Sequence, residues 1–279
     1  MDEDVVIVDV NYRVGIYGFL SFEDRDLPGN MGLKDQVMAL RWVKQNIASF
    51  GGDPNSVTLV GESAGAGSVY HHTISPLSKG LFHRGIAESG SSYGLWCAAP
   101  EGFTKKLSIK LLELLNCKYT TTKAAVECIK NMDPNEVVKK LEHFREWQID
   151  PIFNFGPVLE PQGPGAFLTG PVSSWVHNPV PLLMGMTSAE GLLRTLYFPY
   201  LNLSYEWYSN NFEKIAPISL LYFASAPNPN EITRKVRNYY FPKGKITEDD
   251  WVNITNMYSD SWMTTAILDG ANKHTGDVF

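Results

Sequence analysis

One serine of this 279-residue chain stands in a setting that could make it a nucleophile. Ser63 lies in the stretch GESAGAGS, directly after the apolar run VTLV. A sharp turn between a strand and a helix exposes a serine oxygen, and only small neighbours avoid clashes there. Gly61 and Gly65 are predicted to let the strand and the helix approach closely. The pattern indicates acyl transfer through the serine oxygen.

The residue after the serine adds a second chemical group to this pattern. The N–H of Ala64 is predicted to lie at a helix N-terminus, where it can stabilise a developing oxyanion. The alternative is a glycine-rich turn between strand and helix with an incidental serine. The strand–turn–helix context favours the nucleophile.

Strands and helices alternate around this site. Short apolar or β-branched runs predict strands at 5–10 (VVIVDV), 56–60 (SVTLV), 82–90 (FHRGIAESG), 155–161 (FGPVLEP) and 180–186 (VPLLMGM). A helical pattern runs over 33–50, where Asn30 could cap its start and Gly51 stops it. Another helix is predicted after Ser63. Strand–helix–strand at this spacing predicts the α/β class with a parallel sheet.

The second half of the chain is richer in helix. Helical patterns run over 103–144, 204–214, 231–240 and 248–273, and proline and glycine cluster at 156–181 in what we interpret as an ordered surface loop. Without internal repeats or a linker-like boundary, one domain over 1–279 is predicted.

Composition excludes several classes of partner. The net charge is −6 and no block of Lys and Arg forms a phosphate-binding stripe, so no nucleic-acid partner is predicted. No apolar run approaches the roughly 20 residues that span a bilayer. No cofactor or metal is predicted, because no His, Cys or Asp spacing suits a metal and the elbow lacks a Walker lysine. The start, MDEDVVIVDV, is acidic, so no signal peptide is expected in this chain.

Cysteines and sequons point the other way, towards an oxidising compartment. Cys117 and Cys128 lie eleven apart, and a bridge there would contribute about 3 kcal/mol. Asn202 and Asn253 each begin a glycosylation sequon. Chance is the alternative for all of these features, and Cys97 has no obvious mate.

A longer string then makes a family resemblance visible. The segment NYRVGIYGFLSFEDRDLPGNMGLKDQVMALRWVKQNIASFGGDPNSVTLVGESAGAGSV resembles the core of a type-B carboxylesterase, the cholinesterase-like branch of the α/β-hydrolases. The likeness continues through SKGLFHRGIAESGS, the cysteine spacing, FGPVLEP and PLLMGMTSAEG, so it covers nearly the whole chain. It implies an α/β-hydrolase fold, with a mostly parallel sheet flanked by helices. It also implies hydrolysis of small carboxylic esters through an acyl-enzyme.

The resemblance implies roles for individual residues. Ser63 falls at the family's nucleophile, and Glu190 falls at the triad acid that orients a histidine. For Glu190, spacing alone would favour a solvated carboxylate in a turn. Ala64 matches an oxyanion donor, and Glu62 matches a buried acid that modulates the site electrostatically.

Further implications concern the pocket and the cell compartment. Phe153 and Phe155 fall in the stretch that lines the family's acyl pocket, with plain core packing as the alternative. Cys117 and Cys128 match a disulfide of the family. Its members are commonly secreted glycoproteins, which favours a secreted parent and glycans at the two sequons.

The chain also departs from the family pattern. A glycine-rich oxyanion loop upstream of the first strand has no counterpart here, and His274 is the only histidine after Glu190. We interpret His274 as the end of a helix rather than the catalytic base. The expectation is a partial domain, incomplete at both sides of its sheet, crippled or inactive as an enzyme and prone to aggregate through exposed edges.

Two functions remain open at this point. One is an esterase ancestry, which the retention of both Ser63 and Glu190 favours. The other is a non-catalytic cholinesterase-like module that binds ligands or cell-surface partners. Neither the substrate nor the oligomeric state follows from the sequence.

Overall fold

A parallel three-stranded sheet positions the elements around Ser63. The computed structural model describes residues 3–279. The sheet order is β1–β2–β3, and both pairs are parallel, as predicted. The strands are β1 (Thr58–Glu62), β2 (Arg84–Glu88) and β3 (Leu182–Gly185).

Helices make up most of the remaining regular structure. They are α1 (Gly15–Phe19), α2 (Met31–Asn46), α3 (Ala64–Ile74), α4 (Phe103–Leu114), α5 (Thr122–Lys130), α6 (Pro134–Lys139), α7 (Leu192–Thr195), α8 (Tyr197–Tyr200), α9 (Tyr205–Ser219), α10 (Pro229–Tyr240), α11 (Trp251–Ser259) and α12 (Thr265–Lys273). Short 3₁₀ turns cover Ile47–Phe50, Pro76–Ser78, Lys140–Phe144, Val172–Ser174 and Glu248–Asp250, and a π-helical turn covers Asp260–Thr264.

Helix α2 follows the predicted apolar periodicity. Three residues of its apolar face are buried, Val37, Leu40 and Val43, and so is Ile47 at the start of the 3₁₀ turn that follows. Gly51 ends the helical segment in the left-handed region, with φ of 82°. Asn30 precedes α2 but does not cap it, because its side chain binds the backbone of Val158 instead.

That contact explains why the strand predicted at 155–161 is wrong. Val158 N–H donates to Asn30 Oδ1 at 2.9 Å, and Asn30 Nδ2 donates to the Val158 carbonyl at 2.8 Å. The backbone groups that a sheet ladder would use are therefore already satisfied. Only an isolated bridge between Glu160 and Thr169 remains.

The strand predicted at 5–10 is also wrong. None of the described strands pairs with this run, and Val5, Ile7 and Val10 are exposed. A strand needs a hydrogen-bonded neighbour, which these residues do not find. The loop over 156–181 is ordered but not wholly superficial, since Phe167 and Leu168 are buried.

Two apolar clusters form the core. One packs α1 to α6 around the sheet, and the other packs α9 to α12; Met184 of β3 contacts both. Cys117 and Cys128 form the disulfide that the resemblance implied. Among residues 3–279, no helix is long and apolar enough to cross a bilayer.

Candidate active site

Ser63 occupies a strained elbow between β1 and α3. Its backbone has φ of 53° and ψ of −114°, a region that side-chain-bearing residues rarely enter. Its N–H donates to the carbonyl of Glu88 at 2.8 Å, and its carbonyl accepts from Gly67 at 3.0 Å. Such strain, of order 1–3 kcal/mol, persists only where surrounding contacts enforce it. The sharp turn predicted between strand and helix at Ser63 is therefore present.

The two glycines beside the elbow differ in their surroundings. A Cβ on Gly61 would collide with the backbone of Gly65, so strand and helix do approach closely there. A Cβ on Gly65 would meet nothing within 4 Å. The close approach of strand and helix therefore explains a glycine at position 61 but not at position 65.

The residues on either side of Ser63 are both exposed. Ala64 opens α3, so its N–H is one of the first helical amides, which lack a partner within the helix. Glu62 was expected to be buried, and that expectation is wrong. It is the last residue of β1, which pairs only with β2 among the described strands.

Glu190 is held by hydrogen bonds rather than solvated freely. It lies in the turn after β3, and its Oε1 accepts from Thr187 N–H at 2.7 Å. The same oxygen accepts from Ser89 Oγ at 2.5 Å. Ser89 N–H in turn donates to Gly185 at the end of β3, at 2.7 Å. The carboxylate therefore has a defined orientation.

The end of β2 bridges the serine and the acid. Glu88 accepts from the N–H of Ser63, while the next residue, Ser89, holds the carboxylate of Glu190. All three parallel strands end on the same side of the sheet, where the side chains of Ser89 and Glu190 meet and the backbone of Ser63 binds Glu88. Sequence reasoning missed Ser89, which lies inside the strand predicted over 82–90 but directly follows the observed β2.

The histidines contribute nothing to this arrangement. None of the six, all within residues 3–279, hydrogen-bonds to Ser63 or Glu190: His71, His72, His83, His143, His177 and His274. His274 directly follows α12, as predicted, and its Nε2 donates to the carbonyl of Val180 at 2.7 Å. No base for the serine is therefore assigned.

An aromatic cleft of about 200 Å³ lies near the elbow. Trp96 and Phe153 line it and stack, with ring centres 5.5 Å apart. A Cβ on Gly90 would lie 2.7 Å from the Ser63 carbonyl oxygen and 3.1 Å from the Trp96 ring, so this wall abuts the elbow. Phe155 instead packs on Phe144 in the core, at 5.4 Å.

No metal centre is apparent in the described part of the chain. Across residues 3–279, no three His, Cys, Asp or Glu side chains converge in a way that could hold an ion. The one free cysteine there, Cys97, is buried, and burial raises the pKa of its thiol. A thiol in that state is a poor nucleophile.

Comparisons with known proteins agree with this geometry. The carboxylesterase family profile matches residues 1–278. Venom carboxylesterase-6 of Apis mellifera is 38% identical over 267 residues, covering 93% of this chain and 47% of that protein. Esterase FE4 of Myzus persicae is 38% identical over 262 residues, covering 93% and 46%. The chain thus spans about half the length of the curated relatives it matches.

A solved structure extends the likeness to three dimensions. The crystal structure of juvenile hormone esterase from Manduca sexta, with OTFP covalently attached, matches with a TM-score of 0.79. The identity is 27%, over 96% of this chain and 51% of that one.

Proposed function

The chain belongs to the carboxylesterase family and has the α/β-hydrolase fold, and on that premise we propose that it carries the serine site of a carboxylic ester hydrolase. In this mechanism Ser63 Oγ attacks the ester carbonyl carbon and forms a tetrahedral oxyanion. Collapse breaks the bond to the alcohol, which leaves with the proton of the serine. Water then attacks the acyl-enzyme and releases the carboxylic acid.

The observation that carries this proposal is the strained backbone of Ser63. A φ of 53° on a serine between a parallel strand and a helix is the geometry that exposes a nucleophile. A structural turn would place glycine there at no steric cost. The tie through the end of β2 to Glu190 supports the same role.

The remaining roles follow from position. The N–H of Ala64 would donate to the oxyanion, and Glu190 would orient a histidine base. Glu62 would act only as an exposed charge beside the nucleophile. Since no described histidine touches the site and one oxyanion donor is assigned, we expect weak activity of this chain by itself. Removing a single such donor costs about 10²–10³ in kcat.

The cleft favours substrates with an apolar group. Trp96 and Phe153 offer ring faces, and no charged side chain lines the cleft within the described residues. Relatives named as esterases make a small ester the natural substrate. A relative named for venom, together with the disulfide and the sequons, supports a secreted parent protein.

A fluorophosphonate probe tests this proposal, because it reacts only with an activated serine. We expect slow labelling of the purified chain, its loss in Ser63→Ala, and its retention in Ser68→Ala, a serine on the same helix. Glu190→Gln should slow labelling. Labelling that survives Ser63→Ala would contradict the assignment. An unlabelled chain that binds p-nitrophenyl esters without hydrolysis would favour the non-catalytic binding module instead.

A further inference from the structure

A charged pair lies fully buried beneath the turn that carries Glu190. Arg194 Nη2 donates to Asp150 Oδ2 at 2.7 Å, and both side chains are 0% exposed. The guanidinium carbon of Arg194 lies 4.3 Å from the ring centre of Trp147. Asp150 sits in a tight turn, where its N–H donates to the Trp147 carbonyl at 2.7 Å. The pair therefore connects α7 to a separate hydrogen-bonded turn.

The hydrogen bonding of this pair is incomplete. Arg194 Nε and Nη1 and Asp150 Oδ1 are buried and have no partner among the described residues. Burial raises the pKa of Asp150 to about 6, although Arg194 opposes the shift. Burying two charges costs more free energy than their attraction offsets unless the remaining groups are also hydrogen-bonded. Folding stability is therefore a poor explanation for this pair.

The pair is linked to Glu190 through one short helix. Helix α7 begins two residues after Glu190, and Leu193 N–H donates to the Glu190 carbonyl at 3.2 Å. Gly191 docks on α11, where its N–H donates to Ser259 Oγ at 2.8 Å. A Cβ on Gly191 would collide with the backbone of Thr255, so the docking is close.

A helix of four residues cannot hold itself in place. Its hydrogen bonds are too few to offset the entropy of nucleation, so tertiary contacts must fix it. Gly191 provides a contact at its near end, and two contacts hold its far end: the Arg194 ion pair, and a bond of 2.8 Å between the hydroxyls of Thr195 and Thr255. A buried ion pair accepts only a narrow range of geometries, which makes it suited to setting position.

We propose that Asp150 and Arg194 are positioning residues that hold the Glu190 carboxylate towards the site. The inference rests on the role of Glu190 in the proposed function. Without the pair, the Glu190 turn keeps its contacts with α11 and with Ser89 but loses its connection to the Trp147–Asp150 turn. The carboxylate then leaves the Thr187 N–H and the Ser89 hydroxyl for part of the time.

The test removes both charges together, so that no lone charge stays buried. In Asp150→Asn/Arg194→Met, three quantities are measured: the Tm, amide hydrogen exchange at Thr187 and Gly191, and the rate of fluorophosphonate labelling. We expect an unchanged or higher Tm, and exchange at both amides faster by about tenfold relative to the Ser63 amide. Labelling should slow by up to about 10²-fold, as for a misplaced catalytic group.

A second ion pair serves as the matched control. The buried carboxylate of Glu160 accepts from Lys34 Nζ at 2.6 Å, from Asn30 Nδ2 at 2.8 Å and from Phe167 N–H at 3.0 Å. Lys34→Met/Glu160→Gln should lower the Tm. It should leave exchange at the two amides beside Glu190 unchanged, because this pair does not touch that turn.

Each outcome decides the proposal. Unchanged exchange at both amides in the folded double variant would overturn it, and a lower Tm with unchanged exchange would show a merely structural pair. If the double variant does not fold, Asp150→Leu/Arg194→Met fills the same space without a buried amide and is read in the same way. An unmodified chain that the probe never labels counts against the proposed function alone, since exchange needs no turnover.

Discussion

Gly61 and Gly65 flank Ser63 symmetrically in the sequence, yet only one of them faces another backbone. Because a Cβ on Gly61 collides with Gly65, Gly61→Ala should lower the free energy of unfolding by roughly 1–3 kcal/mol. Gly65→Ala, the control, should leave it unchanged or raise it by up to about 1 kcal/mol, since alanine favours helix. Urea denaturation measures both. Equal losses would show that the close approach at the elbow does not matter.

The two glycosylation sequons differ in how exposed their asparagines are. Asn202 lies exposed in a turn, whereas Asn253 lies half-buried in α11 and its Thr255 is 3% exposed. A bulky glycan needs a side chain that points to solvent. The protein is expressed through a secretory pathway, and its mass on a gel is compared before and after treatment with a glycosidase. We expect the mass difference to disappear in Asn202→Gln and to remain in Asn253→Gln. The reverse pattern on a gel would contradict this prediction.

At the scale of elements, α3 makes the molecule sensitive to acid. Burial lowers the pKa of His71 to about 4, and burial together with His71 lowers that of His72 to about 3. As the pH falls below about 6.5, His71 and His72 take up protons in the unfolded chain but stay neutral in the folded chain. The stability due to the neutral histidines is therefore present above about pH 6.5 and is lost as the pH falls towards 4.

A substitution on α3 tests this pH dependence. His72→Gln keeps a group that can hydrogen-bond to Ser78 and Gln36 but cannot titrate. The fall in Tm between pH 7 and pH 4.5 should be smaller in this variant by roughly 2–4 °C. His143→Gln, at a more exposed histidine, should leave the fall unchanged. A fall of equal size in all three proteins would show that other groups cause it.

At the scale of the whole molecule, strand β1 leaves apolar surface and one backbone edge exposed. Val60 of β1 is 59% exposed and Ile7 is 63% exposed, and β1 has a partner on one side only among the described strands. An exposed strand edge templates pairing with another chain. We expect concentration-dependent self-association in sedimentation velocity, reduced by Val60→Lys but not by Leu268→Lys, an exposed apolar residue on α12. A monodisperse monomer at all concentrations would contradict this expectation.

Features that depend on neighbours in the chain were predictable from the sequence. The elbow at Ser63 needs only a strand, small residues and a helix in succession, and the structure has all three. The periodicity of α2 places its apolar face in the core, because a helix makes its hydrogen bonds within itself. The disulfide and the candidate role of Glu190 came from the family resemblance rather than from spacing.

Features that depend on distant partners were decided only by the tertiary structure. The backbone of Val158 hydrogen-bonds to the side chain of Asn30, 128 residues earlier, so the strand-like run over 155–161 did not become a strand. Ser89 reached Glu190 across 101 residues, and Phe153 and Phe155 separated into cleft and core. A backbone or side-chain polar group must find a partner somewhere, but which one it finds depends on how the elements pack. Local sequence therefore determined which elements form around the serine, and packing determined what each of their side chains meets.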